Sequence, residues 1–277
     1  GDLAAHCGAR FTEPNDHPVA NSIGVGGVSL EGFHEFLESH NAIREYSEGF
    51  RSGKPGRIVR LHANAGRLPN ELVDEAKRIG MALVTTTTHD DYFMFIKLNY
   101  KMPVSPTDRD ETAKAEHELR ERQQKAIGII QKWFPGCERA FVARTSPSLS
   151  IRRGRCIECD YDISSSDVLD GRHFEDDIMS YGFHDYAPRL QIKNGGTYGI
   201  PYRALRVSHL ENLLAAGMLI TSDWDAHMST RNTVACMGQG QAAGTAAALC
   251  AAAAIGTRDL DSEVLRQRLL DDGVYLE

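Results

Sequence analysis

The chain has 277 residues, 42% hydrophobic and 25% charged, a composition ordinary for a soluble globular protein of one large or two moderate domains. A formal charge of −7 and a pI near 5.9 exclude the basic face that a nucleic-acid binder needs. Six scattered cysteines with one C-x-x-C pair, Cys156 and Cys159, make neither a disulfide framework nor a four-thiolate metal site, so free thiols in the cytoplasm are expected and no metal.

The chain opens on Gly1-Asp2 without an initiator Met, and Leu3–Cys7 reads as a short helix closed by Gly8. Ala20–Leu30 predicts a strand with a glycine interruption. Its Gly24-Val25-Gly26-Gly27 run lacks the Gly-Lys-Ser/Thr ending of a phosphate loop and a helical run directly behind it, so a bulged strand is the better account. Phe33, Phe36, Leu37 and Ile43 give helical spacing over Glu31–Ser47. A short helix over Leu68–Ile79 follows, then strands over Met81–Thr88 and Tyr92–Tyr100. The clearest helix runs from Asp110 to Phe134, with Leu119, Ala126, Ile127, Ile130 and Trp133 on one face and Pro135-Gly136 as its stop. Phe141–Tyr161 reads as strands, and Ser164–Asp167 has a capping pattern. Asn194-Gly195 predicts a hairpin within Gln191–Tyr202, Leu210–Thr221 an apolar strand ending near Gly217, and Asp261–Asp271 a last helix. Strands and helices without regular alternation point to an α+β or mixed fold.

Asn232–Thr257 carries no charge and is long enough to span a bilayer. It is mostly Ala and Gly, with Gln239 and Gln241 inside, and it lacks the large side chains that favour insertion. A buried helix of a non-membrane protein is therefore expected. Ser229, Thr230, Asn232 and Thr233 can cap its start, and a helix start suits an anionic or electron-rich ligand.

Four segments carry a resemblance. Tyr198-x-Ile200-Pro201-Tyr202-Arg203-x-Leu205, Glu211-Asn212-Leu213-Leu214-x-Ala216-Gly217, Ser229-x-Arg231 and Gly240-Gln241-Ala242-Ala243-Gly244-Thr245-Ala246-Ala247-Ala248 are similar, in order and spacing, to the C-terminal part of the FAD-dependent oxidoreductase family. That family is distantly akin to fumarate-reductase flavoprotein chains. Ala115-Glu116-x-x-x-Arg120 and Phe134-Pro135-Gly136 resemble its long middle helix. Ile151-Arg152-x-x-Arg155, Asp160-Tyr161, Asp167-Val168, Gly171-Arg172-x-Phe174-x-Asp176 and His184 continue the likeness, which covers residues 107–276. Arg153 departs from it where an acidic residue is usual, and Cys156 where an arginine is usual.

The resemblance implies an α+β or α/β fold: a mixed-sheet substrate domain plus the strand-helix part of a Rossmann-like FAD domain. Residues 1–10 would be a stub of that FAD-binding domain, because Gly1-Asp2-Leu3-Ala4-Ala5 matches the end of the family's Gly-Asp-Gly-Asp-Leu-Ala-Ala phrase. Residues 11–190 would form the substrate domain and 191–277 the FAD-contacting segment. The Gly-x-Gly-x-x-Gly turn and acidic ribose residue of a dinucleotide site are not found, which implies a second chain or fragment carrying that Rossmann segment, in a hetero-oligomer. The implied reaction is hydride transfer between a small polar substrate, at a C–H next to O or N, and flavin N5. Reduction of an activated C=C bond in a carboxylate substrate, and a non-catalytic scaffold subunit, are the alternatives. The implied cofactor contacts are Gly217, Ser229, Thr230, Arg231 and Asn232. His184, Arg152 and Arg203 are the catalytic candidates, His184 for proton transfer because imidazole titrates near neutrality. Arg155, Tyr202 and His227 are the substrate-binding candidates.

Overall fold

The computed structural model describes residues 1–186 and 190–277, with residue 194 described by its backbone alone. They form two compact units, one of Gly1–Asp16 with Arg152–Glu277 and the other of His17–Ile151. The sequence reading instead divided the chain by role, after residues 10 and 190.

The chain begins in the first unit with α1 (Asp2–His6), ended by Gly8 at φ +90°, and β1 (Phe11–Thr12). It then forms the whole second unit: β2 (Val19–Gly26), α2 (Leu30–Ser39), β3 (Ile43–Arg51), β4 (Lys54–Ala63), α3 (Asn70–Arg78), β5 (Met81–Ala82), β6 (Val84–Thr86), β7 (Tyr92–Tyr100), α4 (Arg109–Trp133) and β8 (Phe141–Thr145). The strands make one antiparallel sheet in the order β3-β4-β6-β7-β2-β8, with β5 also on β7. A core of Ile23, Val25, Phe33, Leu37, Leu61, Phe93, Leu98, Leu119 and Ile130 lies within this unit. Gln123, buried on α4, donates to Asn21 Oδ1 at 2.9 Å and Thr145 Oγ1 at 2.7 Å, fixing the helix on the sheet through satisfied polar contacts.

Two expectations fail here. The helix over Glu31–Ser47 stops at Ser39, because Asn41 takes the left-handed conformation and Ala42 N–H closes back on Leu37 O at 2.8 Å. Residues from Ile43 onward then enter β3, which turns into β4 through Ser52-Gly53, both at positive φ as a two-residue hairpin requires. A helix does follow the glycine run, since α2 starts at Leu30. The run is still no open phosphate loop. A side chain at Gly27 would meet Arg139 O at 2.4 Å, and one at Gly26 would meet the Phe141 ring at 2.7 Å. The glycines admit neighbouring chain, and β2 bulges between Ile23 and Val25 as the sequence predicts.

The first unit resumes with β9 (Cys156–Ile157), which pairs β1, then α5 (Ser165–Leu169), β10 (Asp177–Tyr181), β11 (Tyr198–Pro201), α6 (Trp224–Thr230), α7 (Thr233–Ala253) and α8 (Ser262–Asp271). Ser164 and Asp167 form the expected capping box on α5. β10 and β11 are antiparallel, and parallel pairing among the described residues is confined to the isolated bridges Ile157–Ile220 and Ile163–Ser222. Asn194-Gly195 lies in a 3-10 turn before β11 rather than at a two-residue hairpin. Leu210–Thr221 holds no strand. His209 and Asn212 take positive φ, and Gly217–Leu219 is a 3-10 turn. The uncharged stretch is helical as expected but buried on one face only: Ala235, Gln239, Ala242, Ala246 and Cys250 face the core, while Val234 and Met237 are 63% and 69% exposed. No helix among the described residues is long and apolar enough to cross a membrane.

Candidate active site

α6 and α7 meet at Arg231-Asn232, and most of the expected residues gather at this junction. Ser229 and Thr230 are the last residues of α6, fully buried, so neither caps α7. Asn232 stands at the N-cap of α7 without a side-chain cap bond; its Nδ2 donates to Met228 O at 3.2 Å, and its side chain also bonds Tyr181. The first turn of a 21-residue helix therefore keeps N–H groups that no side-chain cap satisfies. Ser229 Oγ donates to Phe183 O at 2.5 Å and shares a 2.8 Å bond with the Tyr198 hydroxyl. Thr230 Oγ1 is buried with no hydrogen-bond partner among the described residues.

Gln239, buried one turn further on, holds the junction. Its Oε1 accepts Gly217 N–H at 2.7 Å and its Nε2 donates to Thr230 O at 2.8 Å. Gly217 needs to be glycine for its φ of +78°. A Cβ there would meet only ordinary contact with Cys236 Sγ at 3.5 Å, so conformation rather than space is the constraint.

His184 bonds α6 through Asp225 O, and His227 is a buried residue of α6 itself. His184 Nδ1 accepts Tyr186 N–H at 3.1 Å, which puts the ring proton on Nε2, 3.0 Å from Asp225 O. His227 Nε2 lies 2.9 Å from Arg152 O. Arg231 Nη2 donates to Asp185 Oδ2. Burial, and after it the field of Arg231, holds the Arg152 guanidinium below its ordinary value, while Asp185 and Tyr186 act the other way. The rings of His184, Tyr186 and Trp224 form a ladder with centroids 5.7 and 5.6 Å apart.

The remaining candidates have other partners. Arg203 pairs with Asp176 and stacks over Tyr161 and Phe174. Arg155 binds Asp2 at 2.6 Å and Glu13 at 2.5 Å. Tyr202 is buried, donates to Thr257 O at 2.9 Å, and burial pushes its hydroxyl up to about 12. Arg153, the departure from the family pattern, pairs with Asp16 at 2.8 Å and donates to Ser222 O at 2.5 Å. Cys156 and Cys159 are buried free thiols, and burial pushes Cys159 up to about 12, far from a reactive thiolate. Sequence reasoning missed Asp185, Tyr186, Trp224 and Gln239. Only the adjacency of Asp185 to His184, and the place of Gln239 inside the alanine helix, hinted at them.

The junction joins an α7 start without a side-chain cap to a buried Thr230 hydroxyl without a hydrogen-bond partner among the described residues. The buried, unpartnered Thr230 hydroxyl and the uncapped first turn fit the ring of a flavin. Neither the Gly24–Gly27 run, packed under Arg139 and Phe141, nor Gly238, inside α7 against Met179, fits its phosphates. The model of the family described as FAD dependent oxidoreductase matches residues 1–269. The chain belongs to that family, and its cofactor is FAD. No curated protein and no solved structure gives a significant match.

Proposed function

We propose that this chain forms the substrate side and the flavin-ring side of an FAD-dependent oxidoreductase that moves a hydride between a small polar substrate and the flavin. The observation that carries the reading is the α7 start, with family membership over residues 1–269 and a first turn left without a side-chain cap behind Arg231. FAD, when bound, would supply a hydride acceptor for a C–H next to oxygen or nitrogen, with the proton of the adjacent O–H or N–H passing to water. The α7 dipole and Arg231 stabilise negative charge on the ring edge. Ser229, Thr230 and Asn232 shape that wall, and Gly217 fixes the turn beside it through Gln239. Arg152 is the substrate-side cation, with His227 holding its backbone. His184, with both ring nitrogens on backbone partners, acts by positioning Asp185 and Tyr186. Arg203, Arg155 and Tyr202 support the site from their own ion pairs and hydrogen bonds.

The phosphates and adenosine of FAD would be held by a Rossmann segment outside residues 1–277, on this polypeptide or another. The exposed, uncharged face of α7 around Val234 and Met237 is the surface such a segment would cover. The six free thiols suit a reducing, cytoplasmic setting. The test is absorbance and intact mass on the native preparation. A yellow complex that holds FAD with a second polypeptide and bleaches anaerobically with substrate supports the reading. A chain that stays colourless with excess FAD and every co-purifying polypeptide refutes it. Reduction of a C=C bond in a carboxylate is the second reading, favoured by the Arg152–Arg231 charge pair, and predicts inhibition by small dicarboxylates.

A further inference from the structure

The Arg231 guanidinium has an incomplete set of partners. Its Nη2 donates to Asp185 and lies 3.6 Å from Met228 Sδ, while its Nε is buried with no hydrogen-bond partner among the described residues. A guanidinium presents Nε and Nη2 as a two-bond fork that a planar pair of acceptors fills, so Asp185 fills half of it. Arg152 lies in the field of both Arg231 and Asp185, so the Asp185 carboxylate sits between two guanidinium groups beside the start of α7. The Asp185 side chain is 26% exposed, at the solvent boundary. Its backbone is fixed independently, by N–H donation to Met228 O at 3.2 Å, so the carboxylate can leave Arg231 by rotating its own side-chain bonds.

We propose that Asp185 is a displaceable internal counter-ion, occupying Arg231 until a planar anionic acceptor on a ligand takes the Nε–Nη2 fork in its place. The orphaned Nε and the single-bonded Asp185 contact stand alone; the identity of the acceptor rests on the flavoenzyme reading above. That acceptor is a substrate carboxylate or the anionic pyrimidine edge of reduced flavin, which share this chemistry.

The experiment titrates the full chain with acetate at constant ionic strength, chloride replacing acetate in the control. Calorimetry and the fluorescence of Trp224, stacked on Tyr186, report binding in a Trp133→Phe background. Asp185→Asn removes the competing carboxylate and is expected to tighten acetate about tenfold, and Asp185→Ser gives the same gain by a second route. Arg231→Gln abolishes the response, and Arg231→Lys, which keeps the charge and loses the fork, weakens it about tenfold. Circular dichroism checks that each variant is folded. Unchanged or weaker acetate binding in the folded Asp185 variants overturns the proposal, as does the absence of acetate binding throughout. Repeating the titration on FAD-loaded protein separates the sources: acetate that still binds marks a substrate carboxylate, and acetate excluded by FAD marks the flavin edge. Protein that gains acetate affinity in Asp185→Asn yet never retains FAD, even with every co-purifying polypeptide, refutes the flavoenzyme reading and leaves the counter-ion standing.

Discussion

Replacing Gln239 with Leu isolates the contact that sets the α6–α7 junction. The side chain is fully buried, and its amide bonds both Gly217 N–H and Thr230 O. Leucine keeps much of the volume but leaves a half-buried donor and a buried carbonyl unpaired, each costing about 1–3 kcal/mol when fully buried. Thr230 O retains only a long contact, 3.9 Å, from Cys236 Sγ, so little of its loss is recovered. Burying leucine instead of an amide returns a part, and the net expectation is a loss of about 2–4 kcal/mol. With m near 2 kcal/mol/M in urea, the midpoint falls by about 1–2 M. The two tryptophans make the assay specific, because Trp224 belongs to the first unit and Trp133 to the second. In a Trp133→Phe background, Trp224 fluorescence follows unfolding of the first unit alone. A loss under about 0.5 kcal/mol, the range of ordinary surface changes, would refute the reasoning, because it would mean that water or another group satisfies both partners.

Gly27→Ala places a Cβ 2.4 Å from Arg139 O at a φ of +70°. It is expected to destabilise the second unit by more than about 2 kcal/mol, read by Trp133 in a Trp224→Phe background; undiminished stability would revive the phosphate-loop account. Burial pushes the Asp167 carboxyl up, but the Ser164 backbone and hydroxyl, the Tyr161 hydroxyl and Arg172 outweigh it and hold the group below its ordinary 3.8. Its contribution is therefore complete above pH 3.8 and lost as pH falls through the lower folded value. Asp167→Asn should flatten urea-midpoint stability across that acid range, and an unaltered slope would contradict the assignment. His184→Gln should lower turnover while leaving both limbs of the pH–rate profile in place, since His184 positions its neighbours; loss of a limb would make it the proton carrier.

Local signals carried much of the fold. The α4 face, the Ser164–Asp167 capping box, the bulge in β2 and the terminal α8 were legible because each is set by neighbours in the chain. The β3–β4 hairpin was not, because Ile43–Ser47 has helical spacing and only the left-handed Asn41 diverts it. Leu210–Thr221 looked like a strand from its apolar content, yet Asn212 and Gly217 at positive φ bend it into turns. At the site, motif order located the α7 start, but the partners of each arginine are long-range. Arg155 reaches Asp2 and Glu13 across more than a hundred residues, and Arg231 reaches Asp185. The resemblance therefore grouped Arg152 with Arg155 and Arg203, whereas the fold sets it in the field of Arg231.

The central claim is that the start of α7 stabilises negative charge on the reduced flavin. The midpoint potential of bound FAD, measured in the native protein and in Arg231→Gln, tests it most directly. Removing that charge should lower the potential by roughly 30 mV for each 1.4 kcal/mol of stabilisation lost in a two-electron couple, with FAD still retained. An unchanged potential in a folded, FAD-loaded Arg231→Gln protein would contradict the account.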